Sequence, residues 1–231
     1  MSIAERYQKV AAEVAEAAVA AGRAPEDVLL VAVSKTVGPE GVAEAIEGGA
    51  RDFGENRPDQ IVPKSAAFPE VRWHFIGNIQ SRRISEIVAS ATLIHSLYQL
   101  RHAEKIDHAA AELSKVQDVL IEVNVSGEAS KSGVAPAEAA DLVRAVAALP
   151  HVSVRGLMTM APAGDAQAAR EAFAGLAELA AQIRAQLPAE DAAVFTELSM
   201  GMSDDFEDAI AEGSTMVRIG TAIFGARNYS K

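Results

Sequence analysis

The stretch VLLVAVSKT, residues 28 to 36, decides the fold. Its apolar residues, Val28 to Val33, run without interruption into Ser34, Lys35 and Thr36. An apolar residue at every position means burial on both faces, the property of a strand in a parallel α/β sheet. Upstream, Tyr7, Val10, Ala11, Val14 and Ala18 fall at helical spacing, and Gly22 can end that helix. Downstream, Gly38-Pro39-Glu40 opens a helix that carries Val42, Ala45 and Ile46 and closes at Gly48–Gly49. Proline just inside the start and glycine past the end is the expected asymmetry.

The same unit recurs along the chain. Further strands are expected near Asp52–Phe53, Val71–Ile76, Thr92–His95, Val119–Val125, Val152–Met158, Val194–Leu198 and Met216–Ile219. Helices are expected between them: from about Asp59, from about Gln80, then Leu97–Leu113, Pro136–Leu149, Gln167–Leu187 and Asp204–Glu212. Strict alternation implies parallel strands joined by right-handed crossovers. Eight such units in 231 residues predict an α/β fold, a single (β/α)8 barrel of TIM type with an extra N-terminal helix. The rival is an open doubly wound sheet. No linker, low-complexity stretch or strong internal repeat divides the chain, so residues 1–231 read as one domain.

Composition removes several function classes. The net charge of −11 repels phosphate backbones, and no basic patch interleaved with aromatics occurs, so nucleic-acid binding is not expected. The absence of cysteine removes disulfides, thiol catalysis and cysteine metal sites. The five histidines show no HExxH-like spacing, and no metal is expected. Residues Met1 to Gly22 carry Glu5, Glu13 and Glu16 and hold no long apolar run. A signal peptide and a membrane span are therefore not expected, and the cytoplasm is the default location.

In a barrel the active site lies where the strands end. The residues expected there are small and polar: Ser34-Lys35-Thr36, Gly54 to Arg57, Gly77 to Ser81, His95-Ser96, Asn124 to Gly127, Met158 to Met160, Ser199 to Ser203 and Gly220-Thr221. Lys35 directly follows an apolar strand. Desolvation there would disfavour the ammonium and free an amine suited to Schiff-base chemistry. The alternative is a lysine that snorkels into water. Gly- and Ser-rich turns after strands 7 and 8 are the usual phosphate site of barrels, and Ser203 can cap a helix beginning at Asp204. Asp204 and Asp205 would repel a phosphate there unless they point away. Arg218 can face a ligand ring or form a buried ion pair. Lys131 reads as a solvated loop residue or a mobile second amine. Met158 and Met160 read as gap fillers. His74, beside Trp73, reads as a satisfied core histidine.

VAVSKT (31–36), GEN (54–56), WHFIG (73–77), HSL (95–97), SGEASKSG (126–133), RGLM (155–158) and LSMGMSDDFEDAIAEGSTMVRIGTAIFGAR (198–227) closely resemble the pyridoxal phosphate homeostasis proteins. The resemblance implies a barrel similar to the N-terminal domain of alanine racemase, carrying pyridoxal 5′-phosphate (PLP) as a Schiff base on Lys35. It implies Ser199, Ser203, Gly220 and Thr221 around the phosphate, Arg218 by the pyridine nitrogen, and Asn56 and Met158 along the ring pocket. An always-charged arginine there would keep that nitrogen unprotonated and weaken the cofactor as an electron sink. The family implies a carrier or buffer of PLP for homeostasis, with PLP-dependent apoenzymes as recipients and without robust catalysis of its own. Three stretches depart from the family pattern: GENRPDQ (54–60), Asn78 after WHFIG, and QSRR (80–83). They alter the rim near strands 2 and 3 and leave the lysine and phosphate loops intact.

Two other readings stay open. One is a PLP-dependent amino-acid racemase or decarboxylase. Such enzymes add a β domain with a catalytic tyrosine. Here the chain ends at Lys231, and none of Tyr7, Tyr98 and Tyr229 is expected at a strand end facing the lysine. The other is a cofactor-free Schiff-base lyase acting through Lys35 on a phosphorylated sugar. A monomer is expected, since no exposed apolar seam is evident.

Overall fold

The computed structural model describes residues 1–128 and 131–225. Among them, parallel strands β1 (Leu29–Val33), β2 (Asp52–Glu55), β3 (Arg72–Phe75), β4 (Leu93–Leu97), β5 (Gln117–Glu122), β6 (Val152–Met158), β7 (Glu197–Ser199) and β8 (Met216–Ile219) form a closed barrel in sequence order. Closure is made by β1 on β8, with Leu29 opposite Met216 and Ala32 opposite Ile219. The open sheet is thereby excluded.

Helices α1 (Ile3–Ala20), α2 (Pro39–Glu47), α3 (Pro58–Ala67), α4 (Ile84–Ser90), α5 (Leu100–Glu112), α6 (Pro136–Ala147), α7 (Ala166–Arg184), α8 (Ala189–Val194), α9 (Phe206–Ala211) and α10 (Thr221–Phe224) surround it. The extra helix α1 begins with a capping box between Ser2 and Glu5, buries Val10, Val14 and Ala18, and packs on α2, α9 and α10. Arg6 Nε donates to the Ile223 carbonyl at 2.6 Å, which ties α1 to the last described turn. None of the described helices is long and apolar enough to cross a membrane.

Alternation along each strand sorts the core into two layers. Phe53, Phe75, Ile94, Val119, Ile121, Leu157, Val217 and Ile219 point outward into the layer shared with the helices. A smaller cluster of Leu93, Leu120, Met158 and Met216 occupies the inside, and Asp52, His74, His95, Ser199 and Arg218 share that inner parity.

Several boundaries differ from the sequence expectation, three of them around β4, β5 and β7. β4 runs to Leu97 and α5 starts only at Leu100, because the register against β5 shifts between Ile94 and Leu97 and lets the strand continue. Tyr98 therefore stands one residue beyond the end of β4, at the rim, rather than inside a helix. β5 ends at Glu122; Val123 makes an isolated bridge with Val134, and Val125 lies in a turn. Val194 closes the helix α8 instead of opening a strand, and β7 is only Glu197–Ser199. An apolar run short enough for either state is decided by packing, not by its pattern.

Candidate functional site

The turn after β1 is built for rigidity. Val37 N–H donates to the Ser34 carbonyl at 3.0 Å, which closes a tight turn with Lys35 and Thr36 at its centre. Thr36 takes φ +70°, a left-handed conformation that costs a residue with a β-branched side chain. A buried ion pair holds this turn from below. Lys64 Nζ, from α3, donates to the same Ser34 carbonyl at 2.9 Å and to Glu55 Oε1 at 2.5 Å. The Ser34 hydroxyl donates to that Glu55 oxygen at 2.7 Å. Glu55 is fully buried at the end of β2, and its Oε2 has no hydrogen-bond partner among the described residues. Lys35 itself is half-buried.

Asn56 follows β2 and is also half-buried. It is fixed by Gly77, where an added Cβ would stand 2.0 Å from the Asn56 carbonyl oxygen, so only glycine fits there. Met158 ends β6 inside the barrel, and Met160 lies exposed just beyond it. Lys131 pairs with Glu128 at 2.9 Å and lies 3.4 Å from the Met160 carbonyl, so its ammonium rests on the rim after β6. Ser132 donates to Glu122 Oε1 at 2.5 Å. Burial raises the Glu122 carboxyl above its ordinary range, against the Ser132 bond and the charge of Arg218. Ala129 and Ser130 of the 126–133 motif, Ala226 and Arg227 of the last motif, and Tyr229 lie outside the described residues.

Arg218 is buried inside the barrel. Its Nη1 donates to Ser199 Oγ at 2.6 Å and its Nη2 to the Thr159 carbonyl at 3.0 Å. Its backbone N–H donates to the Gly201 carbonyl at 3.0 Å. Burial brings the guanidinium down to about 10, with Asp205 and Glu122 acting the other way, so it keeps its charge at neutral pH. The Ser199 hydroxyl is committed to Arg218 and to His95, whose Nδ1 lies 2.8 Å away.

The loop after β7 turns at Gly201, which has φ +94° and whose Cβ would meet the Ala209 Cβ at 2.6 Å. Helix α9 starts at Phe206, and Asp205 occupies its cap position, not Ser203. The Asp205 carboxylate turns back to accept from Met202 N–H at 2.6 Å, which locks the loop and displaces the helix start by two residues. Ser203 is half-buried in that loop and Asp204 is exposed. After β8, Gly220 leads into α10, which has no side-chain cap. A Cβ on Gly220 would stand 3.0 Å from the Val33 carbonyl, so the β1 and β8 ends close on each other with little room. Thr221 is exposed at the start of α10. No cluster of three potential metal-binding side chains occurs among the described residues.

The rim residues singled out in the sequence thus lie at the C-terminal ends of the barrel strands or in the loops that follow them, except His95 and Ser96, which stand within β4 and are buried. Sequence reasoning missed the Lys64–Glu55 pair and the Thr159 carbonyl. Glu55 had a usable signal, since it stands in the GEN motif at the end of a buried strand. Lys64 had none, because one lysine in a polar helix reads as solvated.

Comparisons with known proteins bear on this site. The family described as alanine racemase, N-terminal domain, matches residues 8–228. A protein of Pseudomonas aeruginosa named pyridoxal phosphate homeostasis protein is 45% identical, with 99% of this chain and 97% of that protein covered. The structure of PipY from Synechococcus elongatus with PLP bound is 33% identical with a TM-score of 0.83, covering 97% of this chain and all of that one. Alanine racemase from Corynebacterium glutamicum, 17% identical, shares the fold with a TM-score of 0.74 over 99% of this chain and 62% of its own.

Proposed function

This chain belongs to the pyridoxal phosphate homeostasis protein family, on an alanine racemase N-terminal fold, and from that premise we propose that it holds PLP at the C-terminal mouth of its barrel and serves the supply of that cofactor. The observation that carries this reading is the joint presence there of a half-buried lysine on a pinned turn and a buried, charged arginine held by two hydrogen bonds.

The side chains present fit the cofactor. Lys35 supplies the amine for its aldehyde and would be its covalent anchor. Ser203, Gly220 and Thr221, with Ser199 beside them, are the polar and small positions for the phosphate, at the ends of β7 and β8 and in the loops that follow. Asn56 and Met158 would flank the ring. Arg218 can only donate, so it favours an unprotonated ring nitrogen. When bound, PLP supplies an electrophilic aldehyde and an electron-withdrawing ring. The protein's part is to anchor it at Lys35, orient it through Arg218 and keep water from the buried face of the ring.

The role that follows is carriage rather than turnover, with residues 1–231 acting as one cofactor-holding domain, a monomer working in the cytoplasm and passing PLP to apoenzymes. The test is transfer. Protein loaded with PLP and freed of excess is mixed with a PLP-requiring apoenzyme, and recovered activity is followed. The wild type is expected to restore activity, and Lys35→Ala to stay folded and restore none. A wild type that takes up no added PLP would overturn the reading and favour the cofactor-free lyase. Light scattering that gives a dimer would overturn the monomer.

A further inference from the structure

A file of buried polar side chains runs through the barrel interior from Arg218 to the opposite mouth, and PLP binding as described uses only its upper end. Arg218 Nη1 donates to Ser199 Oγ at 2.6 Å. Ser199 Oγ lies 2.8 Å from His95 Nδ1, His95 Nε2 lies 2.9 Å from His74 Nδ1, and His74 Nε2 lies 3.0 Å from Asp52 Oδ1. Asp52 closes the file by accepting from Arg72 Nε and Nη2, both at 2.6 Å. Ser199, His95, His74 and Asp52 are all buried, while the Arg72 side chain is 58% exposed at the N-terminal mouth.

The ends dictate the middle. An arginine only donates, and an ionised carboxylate only accepts. Three contacts separate them, and with both imidazoles uncharged one hydrogen is available for each: the Ser199 hydroxyl hydrogen and one on each ring. Asp52 must take the Nε2 hydrogen of His74. His74 Nδ1 is then an acceptor, so His95 carries its hydrogen on Nε2. His95 Nδ1 is an acceptor in turn and takes the hydroxyl hydrogen of Ser199, whose lone pair faces Arg218. Every hydrogen points from the cofactor mouth toward Asp52.

We propose that Asp52, His74 and His95 are positioning residues that fix the direction of this relay and, through the Ser199 hydroxyl, the pose of Arg218 toward the ring nitrogen of PLP. The inference rests on the PLP reading above. Burial, with the charge of Arg218 adding to it, holds His95 well below the ordinary histidine value, which keeps it a neutral link. Burial would raise Asp52, but hydrogen bonds from His74 and Arg72 prevail and hold it below its ordinary value, which keeps it an acceptor. Tyr7 also faces this end: burial and the charge of Asp52 raise its hydroxyl, with Arg51 acting the other way.

The relay can be reversed from the far end. Asp52 Oδ1 accepts from both His74 Nε2 and Arg72 Nε, and Oδ2 accepts from Arg72 Nη2. In Asp52→Asn the carboxamide oxygen can keep the Oδ1 place, and only Arg72 Nη2, on a side chain 58% exposed, turns to water, so the direction holds. In Asp52→Leu the acceptor is gone and His74 Nε2 faces only the donating guanidinium of Arg72. His74 must then carry its hydrogen on Nδ1 and His95 on Nδ1. Ser199 Oγ has to accept from both His95 and Arg218, and its own hydrogen loses its partner.

The experiment is long-range 1H–15N spectroscopy on histidine-labelled protein, which separates the two neutral tautomers and the cation at each of the five histidines, paired with PLP titration. The wild type is expected to show His95 as the neutral Nε2–H form, Asp52→Asn to keep it, and Asp52→Leu to show Nδ1–H. PLP affinity should fall about three- to tenfold in that variant, the scale of one net hydrogen bond, with the borohydride label still on Lys35. Ser199→Ala should leave His95 as Nε2–H, because the direction is set from Asp52. A wild-type His95 found as Nδ1–H or as the cation would overturn the relay without need of any variant. So would a folded Asp52→Leu with His95 unchanged, a reversed tautomer without loss of PLP affinity, or a flip in Ser199→Ala. Failure of the wild type to bind PLP would remove the functional reading instead, while the His95 tautomer would still report whether the file is ordered.

Discussion

Replacing Lys64 by methionine should be the most damaging single change outside the cofactor rim. Lys64 is 5% exposed and its ammonium serves two acceptors, Glu55 Oε1 at 2.5 Å and the Ser34 carbonyl at 2.9 Å. Without it, the fully buried Glu55 carboxylate keeps a single donor, the Ser34 hydroxyl at 2.7 Å, and its other oxygen already lacks one. Breaking a buried pair from one side costs about 3–5 kcal/mol, because the remaining charge stays desolvated. In a chain of this size each kcal/mol moves Tm by about 2–4 °C, so Lys64→Met should melt roughly 6–20 °C lower. Calorimetry with a urea titration would measure it. Replacing both partners, Lys64→Met with Glu55→Leu, removes the stranded charge and should recover most of the loss. The loop should report the same event, since Ser34 immediately precedes Lys35: the single variant should release PLP faster than the wild type. A single variant that melts within about 2 °C of the parent, less than one kcal/mol by the same scaling, would refute the view that this pair is a dry anchor for the Lys35 turn.

Three further outcomes follow from the same coordinates. His95 has its protonation pushed well below the ordinary 6.5, chiefly by burial, so the unfolded chain gains a proton below pH 6.5 that the folded chain refuses. Stability should therefore fall with decreasing pH by up to about 1.4 kcal/mol per unit from that point, and His95→Gln should flatten the slope in urea titrations at stepped pH. Asp52, held below its ordinary 3.8, contributes stability that is present above 3.8 and lost as pH falls through its lower folded value, so its loss should appear as a separate, more acidic step. Gly201→Ala forces a Cβ to within 2.6 Å of the Ala209 Cβ at φ +94°. It should destabilise the chain by about 1–3 kcal/mol and weaken PLP binding more than it lowers Tm.

The barrel was legible because its signal is repeated. The uninterrupted apolar strand Val28–Val33 and further strand stretches such as Val152–Met158, separated by helical spacing, leave few other topologies. Boundaries went astray where local pattern is ambiguous: Leu97 and Val194 are apolar residues whose state is set by a register shift and by an intervening short helix. The rim residues were legible as polar interruptions after apolar runs. The interior file was only half legible. His74 was read as a satisfied core histidine, and it is hydrogen-bonded on both ring nitrogens. What the sequence hid was its partners, because Asp52, His74, His95, Ser199 and Arg218 come from five strands, and only barrel closure brings their inner faces together. Alternation was the available clue, since each falls at the inward parity of its strand. The cap of α9 was misassigned to Ser203 because the carboxylate that reaches back to the Met202 amide belongs to Asp205, a contact no spacing rule distinguishes from a Ser203 cap.

The most direct test of the central claim is the absorption spectrum of the purified protein supplied with PLP, before and after borohydride, followed by peptide mapping. A visible band that borohydride bleaches, with the reduced label on the peptide containing Lys35 and absent from Lys35→Ala, is the predicted result. A protein that stays colourless, or a label that maps to Lys131 or another amine in the wild type, would contradict it.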